Sequence, residues 1–300
     1  MPELPEVETL ASQLNRFLVG RQIEKIEIHH PALLKTPRAQ FEKNLCGKKI
    51  QSVQRRAKFL RIDLKGGWTL WFHLGMTGQL LLVESLPQPL LSHSHFILHF
   101  STPHPNPLPK GERGNLTSSF SSPLQGERMK VRGLIFRDVR RFGSIRLTPT
   151  EENAFPEGVK NLGPEPWQCD AKAFASLFKA RRSPIKNLLL NQTLVSGLGN
   201  IYSDESLYRA GIRPVERAHR ITRRRLERLH EALCEVLEEA IRWGGSSIDD
   251  YLHADGTRGR FQEFHRVYGR GGEPCRVCGE GIRTVKLAGR TSSFCPQCQK

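Results

Sequence analysis

The sequence predicts a multidomain α+β protein. A β-rich first half lies behind one N-terminal helix, apolar spacing turns helical near Asp170, and a four-cysteine module closes the chain. The expected division is 1–150, a linker at 151–168, a helical unit at 169–262 and the cysteine module at 263–300.

In the first unit, Val7, Leu10, Leu14 and Phe17 recur at helical spacing, Pro5 suits a first turn and Gly20 a stop. Ile62 and Leu64 alternate with charges, Gly66-Gly67 supplies a turn, and 68–74 alternates again, which predicts a β-hairpin. Phe96, Leu98 and Phe100 share one strand face, and 133–147 adds further strand. Residues 101–132 are rich in Pro, Ser and Gly, lack an apolar period and echo Pro107–Arg113 in Pro123–Arg128. Such a segment cannot bury enough surface to offset its ordering entropy, so it reads as a dispensable, disordered insertion.

In the second unit, Ala173, Leu177 and Phe178 predict one helix, and Ile185, Leu188 and Leu189 a second. Thr222 caps a longer helix carrying Leu226, Leu229, Leu233, Val236 and Leu237, which Gly244-Gly245 ends.

Forty-six Lys and Arg against 30 Asp and Glu leave a formal charge of +16, which favours a polyanion such as nucleic acid. No apolar run reaches the roughly 18–20 residues of a membrane span, and no secretory signal opens the chain, so a cytoplasmic protein is expected. Of seven cysteines, Cys46, Cys169 and Cys234 are isolated and read as small hydrophobes. Cys275-x-x-Cys278 and Cys295-x-x-Cys298 match the spacing of a structural four-thiolate Zn2+ site, with a redox dithiol as the alternative.

Removal of Met1 would leave Pro2 with a free secondary amine, able to attack a sugar C1′, with Glu3 and Glu6 beside it to move protons. A Pro-Glu start serves equally well as a helix lead-in. The run at 54–61 places Arg56, Lys58 and Leu60 on one strand face, and 137–143 sets Phe142 among arginines; a solvated basic edge would look the same. Asn200 follows a Gly-broken turn, where it binds phosphate or simply caps a helix. Met76 lies in a Gly-flanked turn, and His93, His95 and His99 read as exposed or phosphate-facing.

Seven stretches in order resemble bacterial formamidopyrimidine-DNA glycosylases: MPELPEVET at 1–9, QRRAKFL at 54–60, HLGMTG at 73–78, RRFG at 140–143, LGPEP at 162–166, GLGNIY at 197–202 and VYGRGGEPCRVCG at 267–279. The resemblance spans the chain apart from the insertion. It implies an N-terminal β-sandwich with a leading helix, a helix-two-turns-helix bundle and a C-terminal zinc finger, acting as a monomer on damaged double-stranded DNA without a small-molecule cofactor. It further implies Pro2 as nucleophile, Glu3 as acid/base, Lys58 and Arg290 as proton donors for β- and δ-elimination, and one structural zinc on Cys275, Cys278, Cys295 and Cys298. Met76, Arg140 and Phe142 would fill the gap left by an everted base, and His93, Arg181 and Asn200 would contact DNA. Val139 departs from relatives that carry proline there. An endonuclease VIII-like enzyme for oxidised pyrimidines and a catalytically silent DNA-binding protein are the alternatives.

Overall fold

The computed structural model describes residues 1–101, 130–151 and 155–300, so the expected insertion falls almost wholly outside the described residues. Helix α1 (Leu4–Leu18) leads into β1 (Ile23–Ile28), α2 (Arg38–Leu45) and the strands β2 (Ile50–Arg56), β3 (Phe59–Leu64) and β4 (Trp68–His73). Next come β5 (Gly78–Val83), β6 (Ser94–Phe100), β7 (Gly133–Asp138) and β8 (Ser144–Pro149). Two antiparallel four-stranded sheets result, ordered β1-β6-β7-β5 and β2-β3-β4-β8. Their inward faces form a sandwich core from Leu60, Ile62 and Phe72 on one side and Phe96, Leu98 and Phe136 on the other. Burying each such side chain contributes about 1.5–3 kcal/mol.

The leading helix presents Val7, Leu10 and Leu14 to this core, as its spacing predicts. Helix α2, by contrast, is not foreseen in a front half read as having a single helix. It is about two turns of mostly polar sequence, whose only buried side chains are Phe41 and Leu45 at i,i+4.

The rear unit holds α3 (Glu157–Lys160), α4 (Ala171–Lys179), α5 (Ile185–Leu189), α6 (Asn200–Ala210) and α7 (Arg223–Arg242). Asp170 caps α4 through the Ala173 N–H at 2.7 Å, and Thr222 caps α7 through the Arg225 N–H at 3.4 Å. Phe174 and Phe178 carry α4 into the core; Ala173, expected inside, faces solvent, one position off the apolar stripe. Beyond α7 the chain enters a two-stranded hairpin, β9 (Arg283–Leu287) and β10 (Arg290–Phe294). Its two-residue turn, Ala288-Gly289, has φ of 47° and 72°, the pair of left-handed residues that a tight hairpin turn requires. Helix α1 packs against both β2 and α7, which brings the N-terminus to the junction of the two units.

Candidate active site and nucleic-acid interface

The site begins at the start of α1. The Leu4 N–H bonds to the Gly197 carbonyl at 3.0 Å, tying the N-terminus to the loop before α6. Pro2 is buried, and the Glu3 carboxylate accepts from the backbone N–H groups of Gly199 (2.6 Å), Ile201 (2.9 Å) and Tyr202 (3.4 Å). These are the unpaired donors at the N-terminus of α6, where the helix dipole also favours an anion. Glu3 is thus fixed in place beside Pro2.

One turn along α1, Glu6 accepts from the Glu3 N–H (2.8 Å), the Ser246 N–H (2.8 Å) and the Tyr202 hydroxyl. Burial lifts its carboxyl from 4.5 to about 7, Glu3 adds to the rise, and the three donors oppose it. Because the folded-state value is the higher one, Glu6 favours the fold fully below pH 4.5, and that contribution is lost as pH rises through about 7. The span corresponds to about 3 kcal/mol. Urea unfolding at pH 5 and pH 8 is expected to show a stability loss of that order, flattened in Glu6→Gln. An unchanged slope in the variant would assign the dependence elsewhere.

Lys58 does not lie on a strand. Ala57 and Lys58 form the two-residue turn between β2 and β3, with Ala57 at φ 50°, and the Ala57 N–H is held by Glu165 at 2.7 Å. The neighbouring arginines are not free for a polyanion. Arg55 pairs with Glu8 (2.7 Å) and Glu165 (2.8 Å), while Arg56 binds Gln168 (2.8 Å) and the Gly163 carbonyl (2.9 Å). They tie the sandwich to the connecting segment and present Lys58 alone. Lys58 is buried, which lowers its ammonium below the ordinary lysine value against the pull of Glu3. It lines one cleft with Met1, His73, Gln192 and Arg290. A second cavity, lined by Met1, Pro2, Glu6, Met76, Ser246 and Tyr251, opens on the other side. Met1 borders both, and Pro2 lines the second.

Met76, Arg140 and Phe142 come together on two adjoining loops at the sandwich edge. Thr77 bonds to Asp138 and to the Arg140 N–H (3.0 Å), and Asp138 also takes the Gly143 N–H at 2.7 Å. A Cβ at Gly75 would lie 2.6 Å from the Phe142 backbone, so only glycine allows the loops to sit this close. Phe142 is 62% exposed and Met76 43%, although an apolar side chain gains nothing from water. Arg140 reaches back to the Met76 sulfur at 3.9 Å. Met76 therefore does not fill the core.

His93 is exposed on the loop before β6, at φ 63°. His95 departs from expectation: it is buried, with Nε2 2.8 Å from the Asp138 carbonyl, and so supports the same loop. Asn200 is the first residue of α6 and not its cap, which is Gly199; its Nδ2 donates to the Thr291 carbonyl of β10 at 2.9 Å. Arg181 lies just past α4, with Nε on the Leu177 carbonyl at 2.8 Å. Arg290 opens β10 directly after the hairpin turn and reaches the Lys58 cleft. Sequence reasoning missed Tyr202 and Ser246; GLGNIY contains the first, while Ser246 lies in the glycine-flanked loop after α7 and carries no local signal.

The four cysteines of the terminal module converge, with all ligand atoms within 4.8 Å of one another. Sulfur–sulfur separations are 3.4 Å (Cys278–Cys295), 3.5 Å (Cys278–Cys298) and 3.9 Å (Cys275–Cys298). A tetrahedral zinc with Zn–S near 2.3 Å requires edges of about 3.8 Å, so the set fits.

A sandwich, a helical bundle and a four-cysteine finger, meeting at a buried N-terminal Pro-Glu pair, define the class of zinc-finger DNA glycosylases. Residues 1–145 match the formamidopyrimidine-DNA glycosylase N-terminal domain, 162–251 its H2TH domain and 272–300 a zinc finger found in FPG and IleRS. The formamidopyrimidine-DNA glycosylase of Solibacter usitatus is 43% identical, and that of Desulfitobacterium hafniense 39%, each over the whole of both chains. The chain belongs to the formamidopyrimidine-DNA glycosylase family. Among solved structures, the wild-type Lactococcus lactis Fpg with an N7-benzyl-Fapy-dG DNA superposes at TM-score 0.84, with 36% identity over the whole of both chains. The same enzyme bound to an oxidised pyrimidine-containing DNA gives 0.83, also with 36% identity over both chains. Among the described residues no helix is long and apolar enough to cross a membrane.

Proposed function

We propose that this glycosylase removes oxidised purines, 8-oxoguanine and formamidopyrimidines, from duplex DNA and then cleaves the strand on both sides of the abasic site. The Pro2 nitrogen, freed of Met1, attacks C1′; the glycosidic bond breaks with its electron pair on the departing base, which takes up a proton. Glu3 serves the sugar as acid and base, and ring opening leaves an iminium at C1′. Loss of a C2′ proton then breaks C3′–O3′, and loss of a C4′ proton breaks C5′–O5′, each electron pair leaving on a phosphate. Lys58 is the donor in the first elimination and Arg290 in the second. Met76, Arg140 and Phe142 occupy the space of the everted nucleotide, and His93 and Asn200 bind the backbone. Arg181, just past α4, also contacts DNA. One zinc held by the four thiolates is structural, since four protein ligands leave no open position.

The observation that carries this reading is the Glu3 carboxylate, buried next to Pro2 and held by three helix N–H groups. Single-turnover cleavage of duplexes bearing 8-oxoguanine, a formamidopyrimidine or thymine glycol tests the substrate class. Purine lesions are expected to react faster; a preference for thymine glycol would favour an oxidised-pyrimidine enzyme.

Gly199 gives a second test. A Cβ there would lie 2.3 Å from the Glu3 carboxyl carbon. Gly199→Ala must therefore move the carboxylate by an ångström or so, and base excision is expected to fall about 100-fold. Rapid-quench assays would measure it, and a near-normal rate would separate Glu3 from the chemistry.

A further inference from the structure

The proposed mechanism leaves unused a lysine and an aspartate that have almost no contact with water. Lys186 of α5 and Asp204 of α6 are 0% and 1% exposed, and Nζ lies 2.6 Å from Asp204 Oδ1. Burial works against both charges, lowering the Lys186 ammonium and lifting the Asp204 carboxyl to about 6, so each ion depends on the other. Replacing such a pair with apolar side chains is often neutral or stabilising, so a gain in stability is a weak reason for one here.

The second carboxylate oxygen has a different use. Asp204 Oδ2 accepts the Ser293 N–H at 3.0 Å, and one helical turn earlier Asn200 Nδ2 donates to the Thr291 carbonyl at 2.9 Å. In the β9–β10 hairpin, Arg290 and Leu287 flank the two-residue turn and form its closing hydrogen-bonded pair. The backbone groups of Thr291 and Ser293 therefore point away from β9, along the outer edge of the hairpin. Residues i and i+4 of a helix lie about 6.0 Å apart along its axis. Residues i and i+2 of a strand lie about 6.6 Å apart. Two helix side chains thus match the repeat of the strand edge and take the place of a third strand. The hairpin is held in register one residue from Arg290.

We infer that Asp204, held by Lys186, is a positioning residue that sets Arg290 for the second elimination by fixing the outer edge of β10 against α6. The inference rests on the proposed role of Arg290. The same helix holds Glu3 at its N-terminus and the Arg290 strand on its side, so one rigid element fixes the distance between them.

The test uses the full-length zinc-loaded protein on a duplex with a preformed abasic site, following the two cleavage products separately in single turnover. Lys186→Met/Asp204→Leu removes the acceptor while keeping apolar bulk, and Lys186→Gln/Asp204→Asn keeps an acceptor without charge. Zinc content and binding to an uncleavable abasic analogue report folding.

In the Met/Leu variant, the first elimination is expected to stay within about 3-fold, and the second to slow about 10- to 100-fold, the scale of a displaced reacting group. The Gln/Asn variant is expected to restore most of that loss. Placed on Arg290→Gln, the Met/Leu pair should add nothing, as two changes acting through one group must. A folded Met/Leu variant with an unchanged product ratio, equal slowing of every step, or full additivity with Arg290→Gln would each overturn the inference. If Met/Leu fails to load zinc, the Gln/Asn variant decides, because loss of the second elimination there would also contradict it. A wild-type enzyme that stops after the first elimination would instead overturn the Arg290 role, and this inference with it.

Discussion

Pro2→Gly is expected to lose base removal by about 100-fold or more while still binding lesion-containing duplex. A free α-amino group titrates near 8, so about a tenth of it is unprotonated at pH 7, far more than of an ordinary lysine. Proline adds two features that glycine lacks. Its secondary amine passes directly to an iminium, and its ring holds the nitrogen at a fixed angle from a backbone anchored by Leu4 to Gly197. Glycine would keep an amine but let it rotate, with the entropy of that freedom lost on every turnover. Fluorescence anisotropy gives the affinity and single-turnover cleavage the rate. Equal loss of both would place Pro2 in binding and not in chemistry.

Loss of the metal should have an effect of similar size by another route. The core of the terminal module consists of Val267, Cys275, Ile282 and Cys295, too few side chains to hold a hairpin and two loops. Zinc binding contributes about 10–16 kcal/mol in small fingers, so the thiolates and not the core maintain this unit. Cys295→Ser, or chelation, is therefore expected to release β10 from α6 and withdraw Arg290 from the Lys58 cleft. Duplex affinity should drop about 100-fold, as several backbone contacts are lost together. The sandwich should keep its own unfolding transition, because its core is separate. Zinc content, anisotropy and thermal unfolding by circular dichroism check this. Normal affinity in metal-free protein would contradict it.

Much of this architecture can be read from the chain because its signals are local. The apolar stripe of α1, the alternation across β3 and β4, the Thr222 cap and the cysteine spacing each need only a few neighbouring residues. The failures share one cause, which is partners distant in sequence. Arg55 and Arg56 read as a surface for polyanions until Glu165, more than 100 residues away, takes them. Lys58 reads as a strand residue because its β-turn is pinned from that same distant carboxylate. His95 reads as exposed because nothing beside it announces the Asp138 carbonyl. In the site, the candidates at 2, 3, 58 and 290 are picked out by the family resemblance, and the four cysteines by their spacing. The supports are not: the α6 donors to Glu3, the Tyr202–Glu6–Ser246 network and the Asp204 hold on β10 exist only once the chain is folded.

Borohydride reduction of the enzyme mixed with lesion-containing duplex, followed by mass spectrometry of the DNA-linked peptide, tests the covalent step most directly. The predicted product is an N-terminal peptide lacking Met1, with the deoxyribose attached to the nitrogen of Pro2. Attachment at Lys58, or full activity from protein that retains Met1, would contradict the assignment. Normal duplex binding with no trapped adduct would identify a silent DNA-binding protein instead.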